Sequence, residues 1–385
     1  MKRKSAFCYL LFFLTLAEGC KDPYVSPYKP LPTGYLVVEG YISGNTTTQF
    51  SLTRSIELPG DSTLPVVDGA QVQVEGSDNS SYALQGLGNG AYSSVDTLTL
   101  NPAVQYRLRI QTADGEGYLS DFVPYKVTPA IDSINFINTS DGTQIYVNTH
   151  DPANNTRYYQ WNYDQTYEYH SAEESLDYYD KDTVPPAVVP RPLADQVYRC
   201  WTSGVSSTII LNSTAKLAQD VVYLQPLKTI PINDVQTSVL YSIRVRQYAL
   251  TADGYTFLSL MQKNSESLGS IFDAQPSQIK GNIHSMTHPA ELVIGYVSAG
   301  TVDQQRIYIS KYQAGNIFAF SCPVPDTSLP TDALDLKKNF ATGPYTPIEL
   351  VQLSTGANAW LSNNTGCLVC TLLGGTNVKP SFWPN

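Results

Sequence analysis

Apolar and polar residues alternate with a period of two along most of this chain. The stretches YLVVEGYI (35–42), TQFSLTRSI (48–56), AQVQVEG (70–76), SYALQG (81–86), AYSSVDTLTL (91–100) and YRLRIQT (106–112) each read as a strand with one buried face. Between them, VDG (67–69), LGNG (87–90) and ADGEG (113–117) favour tight reversals. Short alternating strands at this spacing predict a β-sandwich over residues 34–123, ending before Pro124 and Pro129.

A second run follows, with IDSINFINTS (131–140), a turn at Asp141–Gly142 and TQIYVNTHD (143–151). The next stretch, RYYQWNYDQTYEYH (157–170), puts Tyr159, Trp161 and Tyr163 on one parity and Gln160, Asn162 and Asp164 on the other. Counted from Ile131 it is the third strand, where a tryptophan commonly fills a sandwich core. Tyr159, Trp161 and Tyr163 are therefore read as inward-facing. Past Asp164 the strand runs toward SAEESLDYYDKDTVPPAVVPRPLA (171–194), whose four prolines predict an insertion without regular structure. Tyr167, Tyr169, Tyr178 and Tyr179 are the rings expected to meet a ligand or partner.

Strands resume at STIILNS (207–213), VVYLQPL (221–227) and VLYSIRVRQYAL (239–250), the last with Val239, Tyr241, Ile243, Val245 and Gln247 on one side. One helix is predicted near 255–267, with Phe257, Leu258, Leu260 and Met261 on one flank and Gly269 as its stop. ELVIGYVSA (291–299) and QRIYISKY (305–312) are strands again. The fold expected is mainly β, with two immunoglobulin- or fibronectin-III-like sandwiches. The second spans 124–316, and a loop-rich, disulfide-stapled extension, 317–385, packs back on it.

Composition supports packed cores, since 42% of the 385 residues are hydrophobic and 15% charged. The N-terminus changes the picture more. Lys2, Arg3 and Lys4 precede an apolar run, AFCYLLFFLTLA (6–17), too short to span a bilayer, and then LAEGC. This resembles a bacterial lipoprotein signal, residues 1–19, cut before a Cys20 that receives lipid. Residues 20–33, with four prolines, would form a tether. Removing 1–19 takes three of 24 basic and one of 34 acidic residues, leaving a net charge of −12. A chain this acidic would be repelled by nucleic acid.

Cys200, Cys322, Cys367 and Cys370 remain after Cys8 and Cys20 are set aside, and are read as two structural disulfides with three possible connectivities. Cys367-Leu-Val-Cys370 lacks the helix start a redox pair needs, and no histidine lies near it for a metal site. His284 and His288 lack the intervening glutamate of a zinc helix, and no GxSxG or phosphate-binding loop occurs. No catalytic residue, cofactor or metal is assigned.

LVVEGYIS (36–43), YYQWNYDQTYEY (158–169), CW (200–201), the segment 241–283 from YSIRVRQYAL to IKGNI, ELVIGYVSAG (291–300), QRIYIS (305–310) and the closing CLVCTLLGGTNVKPSFWPN (367–385) together resemble one family. It is that of Bacteroidota outer-membrane lipoproteins catalogued as domain of unknown function four-two-four-nine. The resemblance implies a lipid-anchored outer-membrane protein, with the cell surface as the expected leaflet. It also implies a non-enzymatic accessory role beside a TonB-dependent receptor in nutrient uptake or surface assembly. The alternative is a stand-alone module that binds glycan or another polymer through Tyr and Trp faces.

Overall fold

The computed structural model describes residues 34–56, 64–266, 280–330 and 333–384. The expected signal, Cys20, the tether and the helix stop at Gly269 lie outside them. The first eight strands are β1 (Leu36–Ser43), β2 (Gln49–Arg54), β3 (Gln71–Gly76), β4 (Ser81–Gly88), β5 (Ala91–Ser93), β6 (Gln105–Gln111), β7 (Gly117–Ser120) and β8 (Val123–Lys126). Next come β9 (Ile131–Thr139), β10 (Gly142–His150), β11 (Tyr158–His170), β12 (Asp177–Asp180), β13 (Ala187–Pro190), β14 (Arg199–Val205), β15 (Ile210–Ser213), β16 (Val221–Pro231) and β17 (Leu240–Ala249). Helix α1 (Ala252–Glu266) precedes β18 (Ile283–Ser285), β19 (Ala299–Gly300) and β20 (Val302–Ser310), and β21 (Asp326–Pro330), β22 (Tyr345–Gln352) and β23 (Asn358–Asn364) are the last strands, followed by a one-turn helix, Thr365–Leu368.

The N-terminal strands do not form a sandwich. They close into an eight-stranded barrel in the order β6-β3-β4-β5-β2-β1-β19-β8, with β8 returning to β6 through Gln105↔Pro124 and Tyr106↔Val123. Closure removes the free edges that an open sheet would present. Its last stave comes from far along the chain: Ala299 and Gly300 lie parallel between Ile42–Ser43 and Tyr125–Lys126. Only glycine fits at 300, because a Cβ there would stand 2.0 Å from the Lys126 carbonyl oxygen. The barrel core joins Leu36, Ile42, Leu52, Val74 and Leu108 to Ile283, Val293 and Val297. The segment 283–300, assigned by sequence to the second unit, thus belongs to the barrel.

From Ile131 onward the strands form a three-stranded sheet, β16-β10-β9, and a five-stranded one built on β14-β11-β17-β20, with β15 also pairing β11. The two share a core of Ile145, Val147, Trp161, Ile243, Val245 and Ile309, but the second immunoglobulin- or fibronectin-III-like sandwich expected over 124–316 is not what they form. Alternation on β11 is as read: Tyr159 and Trp161 are fully buried, and Tyr163 is half-buried. The polar atoms of the two fully buried rings are paired. Trp161 Nε1 donates to Gln247 Oε1 at 2.8 Å, Gln247 Nε2 donates to the Pro129 carbonyl at 2.8 Å, and the Tyr159 hydroxyl donates to Asp220 at 2.6 Å. Helix α1 begins three residues earlier than predicted.

Two further expectations change. Residues 171–194 are not wholly irregular, because β12 and β13 form a short hairpin in which Asp177 pairs Pro190 and Asp180 pairs Ala187. Its prolines sit at the turn and strand end, where no ladder N–H is needed. The C-terminal extension holds a three-stranded sheet, β21-β23-β22. It is stapled by Cys200–Cys370 and Cys322–Cys367, one of the three connectivities left open.

Candidate functional site

Strand β11 outlasts its partners' core-filling part, and its far end carries the rings singled out from sequence. Tyr167 is half-buried and Tyr169 buried, with ring centroids 6.0 Å apart. The chain after β20 returns over them: Phe320 lies 6.4 Å from Tyr169, and Phe318 meets Phe320 edge-on at 5.0 Å. With Val235 and Leu373 these rings line a pocket of about 420 Å³, with Asn233 and Asp234 among its polar residues. That size falls within the roughly 300–1,000 Å³ of small-molecule sites.

The pocket is held from below by a disulfide and a hydrogen bond. The Tyr169 hydroxyl donates to the Cys370 carbonyl at 2.9 Å, and the Cys200–Cys370 bond packs beside its ring. Burial pushes the Tyr169 phenol up, so it stays a donor at neutral pH. The rim is set by side chains that accept from backbone N–H groups. Asp234 caps the turn 235–237 by accepting from the Gln236 N–H at 2.8 Å, and Asn233 Oδ1 accepts from the Ile317 N–H at 3.0 Å.

On the opposite parity, Glu168 forms a buried node. Its carboxylate accepts from His170 Nε2, Arg199 Nε and Trp383 Nε1, each at 2.9 Å. Burial alone would raise this carboxyl, but the three donors outweigh it and hold its pKa at about 2. The C-terminal Phe382–Trp383 pair is thereby docked on the sheet: Trp383 is buried, and Phe382 lies under the Arg306 guanidinium at 4.0 Å.

Tyr178 and Tyr179 are not brought to the pocket. They sit on the β12–β13 hairpin, where the Arg191 guanidinium covers the Tyr178 ring at 5.5 Å. Sequence reasoning missed Phe318, Phe320, Asn233, Asp234, Val235 and Leu373. The period-two spacing of Phe318 and Phe320 in NIFAF, and the Asn-Asp pair after Ile232, were the available signals. Among the described residues, no three His, Cys, Asp or Glu side chains gather as a metal site would require. Lys228 is another buried group: its ammonium donates to Gln236 Oε1 at 2.6 Å, and burial pushes it down to about 8.

No curated protein matches this chain. The family model described as Domain of unknown function (DUF4249) matches residues 21–306, and the chain belongs to that family.

Proposed function

We propose that this DUF4249 member is a non-enzymatic, lipid-anchored binding protein of the outer membrane, which holds a glycan in the ring-lined pocket at the end of β11. The observation that carries the reading is the convergence of Tyr167, Tyr169, Phe318 and Phe320 around one concave space with Asn233 and Asp234. Ring faces take up the C–H faces of a sugar while the amide and carboxylate are suited to its hydroxyls. The anchor is the lipid on Cys20, supported by the basic start, the short apolar run and the small residue before the cysteine. The outer leaflet facing the medium is the location that suits capture of a polymer.

Glycan-array binding by the full chain tests it. Tyr167→Ala and Phe318→Ala should each weaken binding about tenfold, since an aromatic contact contributes ~0.5–1.5 kcal/mol beyond its area. Absence of any retained glycan, or unchanged affinity in both variants, refutes the reading. Loss of palmitate labelling in Cys20→Ser tests the anchor separately.

A second reading has the same surface docking on a TonB-dependent receptor. The turn leading into the pocket favours it, because it exposes Tyr312 and Ile317 at 93% and 78%. Co-purification of a β-barrel receptor from native membranes, weakened by Tyr312→Ala with Ile317→Ser, is the expected outcome.

A further inference from the structure

Strands β11, β17 and β20 gather arginines on one face without matching acids. In register, Asp164 lies opposite Arg244, Arg244 lies opposite Arg306, and Arg246 follows two residues along β17. All three guanidiniums converge on one carboxylate. Arg244 Nε donates to Asp164 Oδ1 at 2.9 Å, Arg306 Nη2 donates to Oδ2 at 3.2 Å, and Arg246 Nη2 donates to Oδ1. One carboxylate neutralises one of the three, leaving two positive charges in a chain of formal net charge −10. Like charges directly opposite each other across a ladder destabilise it.

The donors are not used up. Arg306 gives Nη1 to Ser242 Oγ at 2.8 Å, and Arg246 Nη1 reaches Asn162 Oδ1 at 3.4 Å. Arg244 gives only its Nε, so among the described residues its two terminal nitrogens have no acceptor. The Arg244 and Arg246 side chains are partly shielded, at 37% and 27% exposure, which weakens screening by salt.

Arg244 and Arg246 line a cavity of about 830 Å³ at the junction of barrel, helix and second unit. The helix side of that lining is apolar, with Phe257, Leu258 and Met261 from α1. Glu39, on β1, is the one carboxylate in the lining and is exposed. We infer that this junction cavity is a second binding site, for an amphiphilic organic anion: its carboxylate or phosphate head on Arg244 and Arg246, its apolar body along Phe257, Leu258 and Met261. A planar guanidinium pair suits an oxyanion bidentately, and the site is separate from the ring-lined pocket.

Isothermal titration of the full chain with decanoate and with decyl phosphate tests this, with decanol and inorganic phosphate as the body-only and head-only probes. Either anionic amphiphile should bind at least tenfold more tightly than both controls, and whichever is tighter identifies the head group. The double variant Arg244→Gln with Arg246→Gln should weaken it at least tenfold and flatten its salt dependence. Met261→Trp, which fills the apolar part and leaves the arginines alone, should also weaken binding, so the result does not rest on one variant's folding. Tyr167→Ala should leave it unchanged. Absence of binding by both amphiphiles, equal affinity for decanol, or wild-type affinity in a folded double variant or in Met261→Trp overturns the inference.

Discussion

Replacing Glu168 by Gln keeps the shape of the node beneath the C-terminus and removes its charge. In the folded chain this carboxyl titrates at about 2, against 4.5 for an ordinary glutamate. A folded pKa lowered below the unfolded one contributes stability that is present above pH 4.5 and lost as pH falls through 2. At ~1.36 kcal/mol per unit, that difference corresponds to about 3 kcal/mol at pH 7, and Glu168 is nearly enclosed, at 4% exposure, so solvent screening takes little from it. Hydrogen-bond reasoning gives a similar size, since Gln offers one oxygen where three donors converge and a charge-assisted bond contributes ~1.5–3 kcal/mol. Thermal unfolding of both proteins, followed by tryptophan fluorescence, should show the variant about 4 °C lower at pH 7. At pH 3 the gap should shrink to about 1 kcal/mol, because the unfolded wild-type chain then pays to ionise the same carboxyl. Equal midpoints at pH 7, or a gap of the same size at pH 3, would refute the assignment of Glu168 as the ionised anchor of the tail.

Other substitutions probe other parts of the fold. Trp161→Phe should destabilise by about 2 kcal/mol in urea unfolding, because it strands the buried Gln247 oxygen that now accepts at 2.8 Å. Gly300→Ala should open the barrel seam, read as faster hydrogen exchange in β1 and β8, since the new methyl would meet the Lys126 carbonyl at 2.0 Å. Removing Cys200–Cys370, with its separation of 170 residues, should cost about 5 kcal/mol, against about 4 kcal/mol for Cys322–Cys367, separated by 45, in paired Cys→Ala unfolding experiments.

Much of the local structure was legible in the residue pattern. The period of two located most strands and put Tyr159 and Trp161 inside, and the apolar flank of Phe257, Leu258, Leu260 and Met261 marked the helix. Tyr167 and Tyr169 were picked out because the strand carries rings past its own core. What was hidden depends on partners distant in the chain. Periodicity shows that a strand has a buried face, but not whether its sheet closes on itself. Closure here hinges on Ala299 and Gly300, two small residues inside ELVIGYVSAG that have no pattern of their own and pair with strands some 170 and 260 residues earlier. The pocket's second wall, Phe318 and Phe320, reaches Tyr169 only because the chain beyond β20 folds back, a return that spacing alone does not announce.

The seam at Gly300 bears on how the molecule moves. The barrel stave β19 and the sheet-edge strand β20 are separated by Thr301 alone. That residue is laced to the parallel crossing at 126–131: its N–H donates to the Lys126 carbonyl at 2.9 Å, and its Oγ1 accepts from the Thr128 N–H at 2.8 Å. Two chain crossings bound side by side act as a double strap rather than a hinge, so rotating one unit against the other would have to slip strand register in both at once. Traffic into the space between the units therefore falls to side chains rather than to rotation of the units. Nor can the units be exchanged as cassettes: a chain cut after β8 would leave the barrel without its closing stave.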